Sequence, residues 1–509
     1  MTRAISSGQW LKYLFLTYLG RSDDCPPKTG PYQDYPYFRP SNLEEIRGFW
    51  RKTLSLIKEG LAPKDVGIYI HWPFCPSQCT FCFCSMKVPH SAAEMRGYVD
   101  MLKKEMDAFK DIFKGTLITS IWIGGGTPTF ISDADLDELL AHLRSSFELE
   151  KGAQFYVESS PATLTESKLQ ILLSHGVNRI TLGVQSLDAR VIHIINRVGQ
   201  TRDKIENILS LLAEKDVITD IDLVMGLEGQ SKTSFFKDIE WILKTRPDVL
   251  HIYGFDPRPH TLFAQLKKHS GGLGWENPVS IMDEAEKILT QSGYRHPFWL
   301  PGTDQLEPLE EKQCGGMTKV GASILGLGHV AQSHAFGGGS YQHRPLALGP
   351  IQTDKIPEYI CFPSNREDEM WQYVVRNFSR FHHISRPDFK RIFKQEVMSD
   401  SCLARALREL ESDGYIHIGT ERIDWNVSDA LTRQTALRHL YSPDLIDNLL
   451  KFYEKDYLHF LKTFQGARGE WEKKIRDKIE IISLERIYLN EGASRGHFSS
   501  RGSRVFSGR

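Results

Sequence analysis

The chain has 509 residues, 40% of them hydrophobic and 25% charged, which is enough apolar material for two or three packed domains and too much for a disordered polymer. Its 63 Lys and Arg balance 64 Asp and Glu, a formal net charge of −1, so composition gives no sign of the positive field that draws nucleic acid or an anionic membrane.

The one membrane-like stretch is Trp10–Leu19, about half the ~20 residues a spanning helix needs and broken by Lys12; it reads as a helix packed on the main domain, with a partner or membrane-surface contact and a processed leader as the competing readings. Residues 20–40 are proline-rich and irregular, and the spacing then predicts a helix over Leu43–Ile57. Six short β-branched or aromatic runs follow, at Val66–His71, Ile118–Ile123, Gln154–Val157, Arg179–Gly183, Thr219–Val224 and Val249–Tyr253. Each is followed by a segment of helical spacing, such as Ala93–Phe113 or Asp203–Glu214. Six βα units without a dinucleotide-binding glycine turn after the first strand predict an α/β fold, an incomplete (β/α)6 TIM-type barrel with its ligands at the strand C-termini. Residues 1–61 then form an N-terminal arm with helices, 62–292 the partial barrel and 293–366 a capping segment. Residues 367–488 form a helical, winged-helix-like C-terminal domain, with two short strands at Tyr415–Ile418 and Arg422–Trp425, and 489–509 form a disordered tail. His296, His329, His334 and His343 lack i, i+4 spacing and read as polar lining rather than metal ligands.

Of the eight cysteines, Cys25, Cys314, Cys361 and Cys402 are scattered, while Cys75, Cys79, Cys82 and Cys84 form a C-x3-C-x2-C-x-C cluster just after the first predicted strand. A tight cluster in a long chain speaks for metal or redox chemistry in a reducing compartment, hence the cytoplasm, rather than for a disulfide framework. Three thiolates at this spacing can hold three irons of a [4Fe–4S] cube and leave the fourth open. Zinc with a distant fourth ligand and plain buried thiols are the competing readings. Gly124–Gly126 end the second run, where glycine lets a backbone approach a ligand closely, although a glycine-rich loop is equally a tight turn.

The strand followed by Tyr-x-His-x-Pro-Phe-C-x3-C-x2-C (69–82) resembles the radical SAM superfamily, and the extra Cys84 is similar to its oxygen-independent coproporphyrinogen III oxidase class. The resemblance covers roughly residues 62–430 and recurs at successive strand ends: GGGTPT (124–129), VESSP (157–161), GVQSLD (183–188), NR (196–197) and DIDLVMGL (220–227). It implies a [4Fe–4S] cluster held by Cys75, Cys79 and Cys82, with Cys84 beside it as a catalytic group. It also implies S-adenosylmethionine (SAM), two molecules in this class, contacted by Tyr69, Phe81, Gly125, Gly126, Thr127, Glu158, Gln185, Arg197 and Asp222. Gln185 is assigned a catalytic role as well, Arg197 is placed on the helix after the fourth strand, and Gly126, Thr127, Gln185, Arg197 and Asp222 go to the second SAM. Tyr69 and Phe81 could equally be core aromatics.

The implied chemistry is reductive cleavage of SAM to methionine and a 5′-deoxyadenosyl radical that attacks a small-molecule substrate. A flavodoxin- or ferredoxin-type electron donor and a monomer are expected. Three departures bear on the substrate: Gly226-Leu227-Glu228, Gly254-Phe255-Asp256 and the run Arg295–Leu300 replace the class residues. They favour a methyl or methylene transferase, acting by C-methylation or cyclopropanation, over the oxidase that decarboxylates propionates. A haem chaperone is the third reading, opposed by Cys84. The mixed charge of 367–425 argues against a DNA reader there.

Overall fold

The computed structural model describes residues 39–82, 84–255, 261–263, 278–295, 299–300, 303–308, 322–343, 355–380, 383–427 and 440. The expectations for the N-terminal arm, Trp10–Leu19, His296, the helices after 428 and the C-terminal tail lie outside them. Strand β1 (Arg39–Ser41) and helix α1 (Leu43–Lys58) lead into the repeat β2 (Val66–Trp72), α2 (Ala92–Phe109), β3 (Leu117–Gly125), α3 (Asp133–Ser146), β4 (Glu148–Ser159), α4 (Glu166–Ser174) and β5 (Arg179–Gln185). Two helices, α5 (Ala189–Ile194) and α6 (Arg202–Ala213), then precede β6 (Ile218–Met225), α7 (Lys232–Thr245), β7 (Val249–Gly254) and α8 (Pro278–Gln291). The helices start where the sequence offers a cap: Asn42, Ser91, Ser132, Thr165, Thr201 and Ser231 each accept a backbone N–H from three residues on, and Asp188 does so at the start of α5.

Strands β2 to β7 lie side by side in chain order, every neighbour parallel, and β2 and β7 are not paired with each other. Such an open, in-order parallel array is what consecutive right-handed βα units produce. Period-2 alternation divides each strand between two faces. Toward the helices go Val66, Ile68, Ile70, Ile121, Ile123, Phe155, Val157, Ile180, Leu182, Ile221, Leu223, Leu250 and Ile252, nearly all without solvent contact in one apolar core. Each such side chain contributes about 1.5–3 kcal/mol on burial. The opposite face is polar and aromatic: Tyr69 and His71, Trp122, Tyr156 and Glu158, Arg179 and Thr181, Asp220 and Asp222, His251 and Tyr253. Tyr69, Trp122, Tyr156, Glu158, Asp222 and Tyr253 are partly exposed there, so this face lines a solvent-reached cavity.

The sheet runs past the six repeats on both sides. Strand β8 (Tyr294–Arg295), β9 (Trp299–Leu300) and β10 (Thr303–Pro308) follow, and β10 pairs antiparallel with β7. The stretch read as a cap supplies β11 (Ser323–Leu327), which adds a seventh parallel strand beside β2, then antiparallel β12 (Gln332–Ala335), β13 (Gly339–His343) and β14 (Tyr359–Pro363), which pairs with β1. Helix α9 (Arg366–Arg380), β15 (His383–Ser385) and α10 (Arg386–Phe393) come next. The chain forms two compact units. The larger holds residues 20–404 and 419–424, including the pairing of β15 with 422–424. In the smaller, the described part comprises most of α11 (Ser401–Ser412), β16 (Ile416–Ile418) and the end of β17 (Arg422–Trp425). Among the described residues no helix is long and apolar enough to cross a membrane.

Candidate functional site

Three residues past β2 the chain enters the cysteine loop, which is closed on itself by hydrogen bonds. The Cys75 N–H donates to Lys87 O at 3.0 Å and the Lys87 N–H to Pro73 O at 2.7 Å, while the Thr80 N–H ties the loop to Ile195 O beyond α5 at 3.0 Å. Cys75 Sγ lies 3.2 Å from Thr127 Oγ1, and Arg197 Nη1 donates to Cys79 Sγ at 3.8 Å. The thiol of Cys84 is hydrogen-bonded to Cys82, which brings Cys82 down to about 7 and holds Cys84 well above the thiol range. Burial pushes Cys75 up to about 12 and raises Cys79 as well. At Cys75 and Cys79 burial outweighs the Arg197 guanidinium, which favours the thiolate, and bound irons would add the positive charge that ionises them. Among the described residues no three His, Cys, Asp or Glu side chains converge on one ion position. Three separate thiols at the C-x3-C-x2-C spacing fit a cluster that gives each sulfur its own iron.

Beside the loop, the turn that ends β3 fits under it closely. The Gly126 N–H donates to Trp72 O at 2.6 Å and the Thr127 N–H to Phe74 O at 2.9 Å. A Cβ on Gly126 would lie 2.7 Å from Phe74 O, and one on Gly125, whose φ is +110°, would lie 2.5 Å from the His71 ring, so both positions require glycine for close approach and Gly125 also for its conformation. Glu158, from the end of β4, closes the far side: its carboxylate accepts the Gly125 N–H at 3.1 Å and Trp122 Nε1–H at 3.0 Å. Burial, with the charge of Asp222 second, raises Glu158 to about 7. A carboxylate so placed is complementary to an ammonium group, which would restore its ordinary acidity.

Arg197 does not lie on a helix, as the sequence suggested. Helix α5 ends at Ile194, and Asn196 in the left-handed region (φ 57°) turns the chain so that Arg197 points back into the barrel. There its guanidinium donates to Gly183 O and to Ser160 Oγ at 3.4 Å, while Nε donates to Gln200 Oε1 at 2.8 Å. Gln185 ends β5 with φ 67°, at a register shift between β5 and β6; bulges of this kind re-aim side chains at strand ends. On β6, Asp222 Oδ1 is 2.8 Å from His251 Nδ1. Tyr69 OH is 3.0 Å from His71 Nδ1, and its ring lies edge-on 5.1 Å from Trp122. Phe81 packs with Val191, Ile192, Ile195, Val224 and Leu227, an apolar patch under the cysteine loop.

The structure thus brings Cys75 against Thr127 and Cys79 against Arg197, and places Gly125 beside Glu158. Tyr69 and Asp222 line the same face. Sequence reasoning did not single out Trp122 or His251; the signal was available in the period-2 alternation, because a polar or aromatic residue between two outward apolar positions of a parallel strand must face the cavity. Of the histidines read as lining, His334 is instead bound between Ser340 Oγ and Glu369, both at 3.0 Å, and His343 Nε2 to Glu105 at 2.7 Å.

The Radical SAM superfamily matches this chain over residues 69–242. An oxygen-independent coproporphyrinogen III oxidase of Helicobacter pylori (strain J99) is 32% identical over 402 residues, 73% of this chain and 86% of that protein. The haem chaperone HemW of Buchnera aphidicola (subsp. Schizaphis graminum) is 28% identical over 233 residues, which cover 45% of this chain and 60% of that relative. In fold, the chain is similar to the solved coproporphyrinogen III oxidase (HemN) of Escherichia coli, described as a radical SAM enzyme, with a TM-score of 0.63 and 22% identity over 76% of this chain and 93% of that one.

Proposed function

The chain belongs to the oxygen-independent coproporphyrinogen III oxidase-like class of the radical SAM superfamily, and from that premise we propose that it acts on a small organic substrate as an oxidase, as relatives such as that of Helicobacter pylori are named, by oxidative decarboxylation. Cys75, Cys79 and Cys82 would hold a [4Fe–4S] cluster and Cys84 would steady Cys82 through the thiol–thiol hydrogen bond. When bound, that cluster supplies the electron that splits SAM into methionine and a 5′-deoxyadenosyl radical. The protein's own contribution is placement. Glu158 accepts an ammonium, the Gly124–Gly126 backbone approaches the methionine end, and Arg197 offers a guanidinium to a carboxylate. Phe81 and its apolar neighbours keep water from the loop.

The observation that carries this reading is the convergence of Thr127 and Arg197 on two cluster cysteines, with Glu158 on the adjoining turn. Relatives named as oxidases support decarboxylation more than the methyl or methylene transfer expected from the sequence. Transfer, with a second SAM as donor, stays a second reading on the strength of the altered Gly254-Phe255 strand end and the 295–300 run. The chaperone reading has the named haem chaperone of Buchnera aphidicola behind it. The winged-helix-like reading of 367–425, the cytoplasmic location and the flavodoxin- or ferredoxin-type donor are further parts of the proposal. The test is anaerobic incubation with dithionite, methyl-labelled SAM and coproporphyrinogen III: loss of CO₂ without label in the product supports decarboxylation. Label in a heavier product supports transfer, and unreacted substrate together with stoichiometric binding of haem added in a separate titration supports the chaperone.

A further inference from the structure

Inside the barrel one imidazole has work that none of the assigned residues accounts for. His251 lies on β7 in register with Asp222 of β6, is 4% exposed, and gives its Nδ1 to Asp222 Oδ1 at 2.8 Å. Its other nitrogen, Nε2, is buried and has no hydrogen-bond partner among the described residues. Buried polar atoms are seldom left bare, and one that is marks a site for a missing partner. A plain strand-to-strand staple is a poor account of the pair, because β6 and β7 are already joined by six consecutive register pairs from Asp220–Val249 to Met225–Gly254, and a staple does not require an unsatisfied second nitrogen.

We propose that His251 is a ligand-contacting residue of the SAM site, which with Asp222 presents an imidazole nitrogen and a carboxylate, side by side, to the two ribose hydroxyls. Asp222, about one-fifth exposed, takes the His251 Nδ1–H on one oxygen, and beside it Nε2 stays buried without a partner among the described residues. A vicinal diol, each of whose oxygens can donate and accept, matches a carboxylate beside an imidazole nitrogen whether that nitrogen donates or accepts. The position agrees, since Asp222 and Glu158 share the inner face and each feels the other's charge. Asp222 also raises His251 above its ordinary value against the opposing effect of burial. The inference rests on the reading that the barrel binds SAM.

The test is equilibrium dialysis of SAM, without reductant, against anaerobically reconstituted protein. It compares the wild type with His251→Phe and with His251→Asn, which keeps a donor for Asp222 and deletes the second nitrogen. Each protein is also measured with the SAM analogue lacking both ribose hydroxyls, with iron content and melting temperature recorded alongside. Both variants are expected to bind SAM about tenfold more weakly, as befits one charge-assisted hydrogen bond, and to discriminate SAM from the dideoxy analogue about tenfold less than the wild type does. Wild-type affinity and undiminished discrimination in His251→Asn overturn the proposal, as does a loss that is the same for both ligands. Failure of the wild type to bind SAM at all instead overturns the function proposed above.

Discussion

The fit between the β3 turn and the cysteine loop makes Gly126→Ala the most informative single change. An Ala Cβ there would lie 2.7 Å from Phe74 O, 2.9 Å from Pro73 C and 2.9 Å from Trp72 O, whereas ordinary Cβ contacts begin near 3.4 Å. All three are backbone atoms, so no side chain can rotate away, and the loop must move by about half an ångström or more. Overpacking of this kind costs about 1–3 kcal/mol. The displaced segment also stretches the hydrogen bonds from Gly126 N and Thr127 N to Trp72 O and Phe74 O, worth about 1 kcal/mol each. A total near 2–4 kcal/mol corresponds to a fall in melting temperature of about 2–5 °C for a compact unit of this size. Because Cys75 follows Phe74 directly, iron retention should fall with it. Gly48 in α1 is the control, since nothing lies within 4 Å of its Cβ direction; Gly48→Ala should stabilise by about 0.5–1 kcal/mol through helix propensity and leave iron unchanged. Thermal melts followed by circular dichroism, with iron and sulfide assays, decide the matter. A Gly126→Ala protein that melts within a degree of the wild type with full iron would refute the argument that this turn is packed against the loop backbone.

Other outcomes follow from the same geometry. Cys75, Cys79 and Cys82 replaced singly by Ala should each abolish the ~400 nm absorbance expected of a [4Fe–4S] cluster, whereas Cys84→Ala should keep about four irons per chain and impair turnover; a stoichiometry near one zinc without iron contradicts this assignment. Glu158, raised to about 7, is protonated below that value and cannot serve an ammonium there, so SAM affinity should rise as pH increases from 6 to 8, and Glu158→Gln should flatten that rise in equilibrium dialysis. In the SAM-free protein the sign is opposite: the raised folded value makes ionised Glu158 destabilising once pH exceeds its unfolded value of 4.5. Glu158→Gln should therefore raise the melting temperature at pH 8 but not at pH 4. Arg197→Ala should retain iron and uncoupled 5′-deoxyadenosine formation while losing product, as read by mass spectrometry; full product formation argues against a carboxylate contact.

Much of this protein is legible in one dimension because its information is local. The six βα units, the capped helix starts at Ser132, Thr201 and Ser231, and the C-x3-C-x2-C loop after the first of those strands depend on residues close together in the chain, and local spacing specifies strands, helices and a thiolate set directly. The segment 323–343 is the counter-example. Its strands β12 and β13, QSHA and GSYQH, carry almost no β-branched residues and no alternation, yet both are buried in the sheet. They are strands because β11 docks beside β2 and offers a free edge, and because His334 and His343 find Glu369 and Glu105, far away in sequence. Arg197 shows the same division on a smaller scale. Its identity was readable from the Asn-Arg pair, but its direction was set by the left-handed Asn196 that ends α5 early. The pairing of Asp222 with His251 was likewise invisible in either residue alone, since each becomes a buried polar group only when two parallel strands bring them to the same inner face, and the partner that satisfies such a group is chosen by register in space.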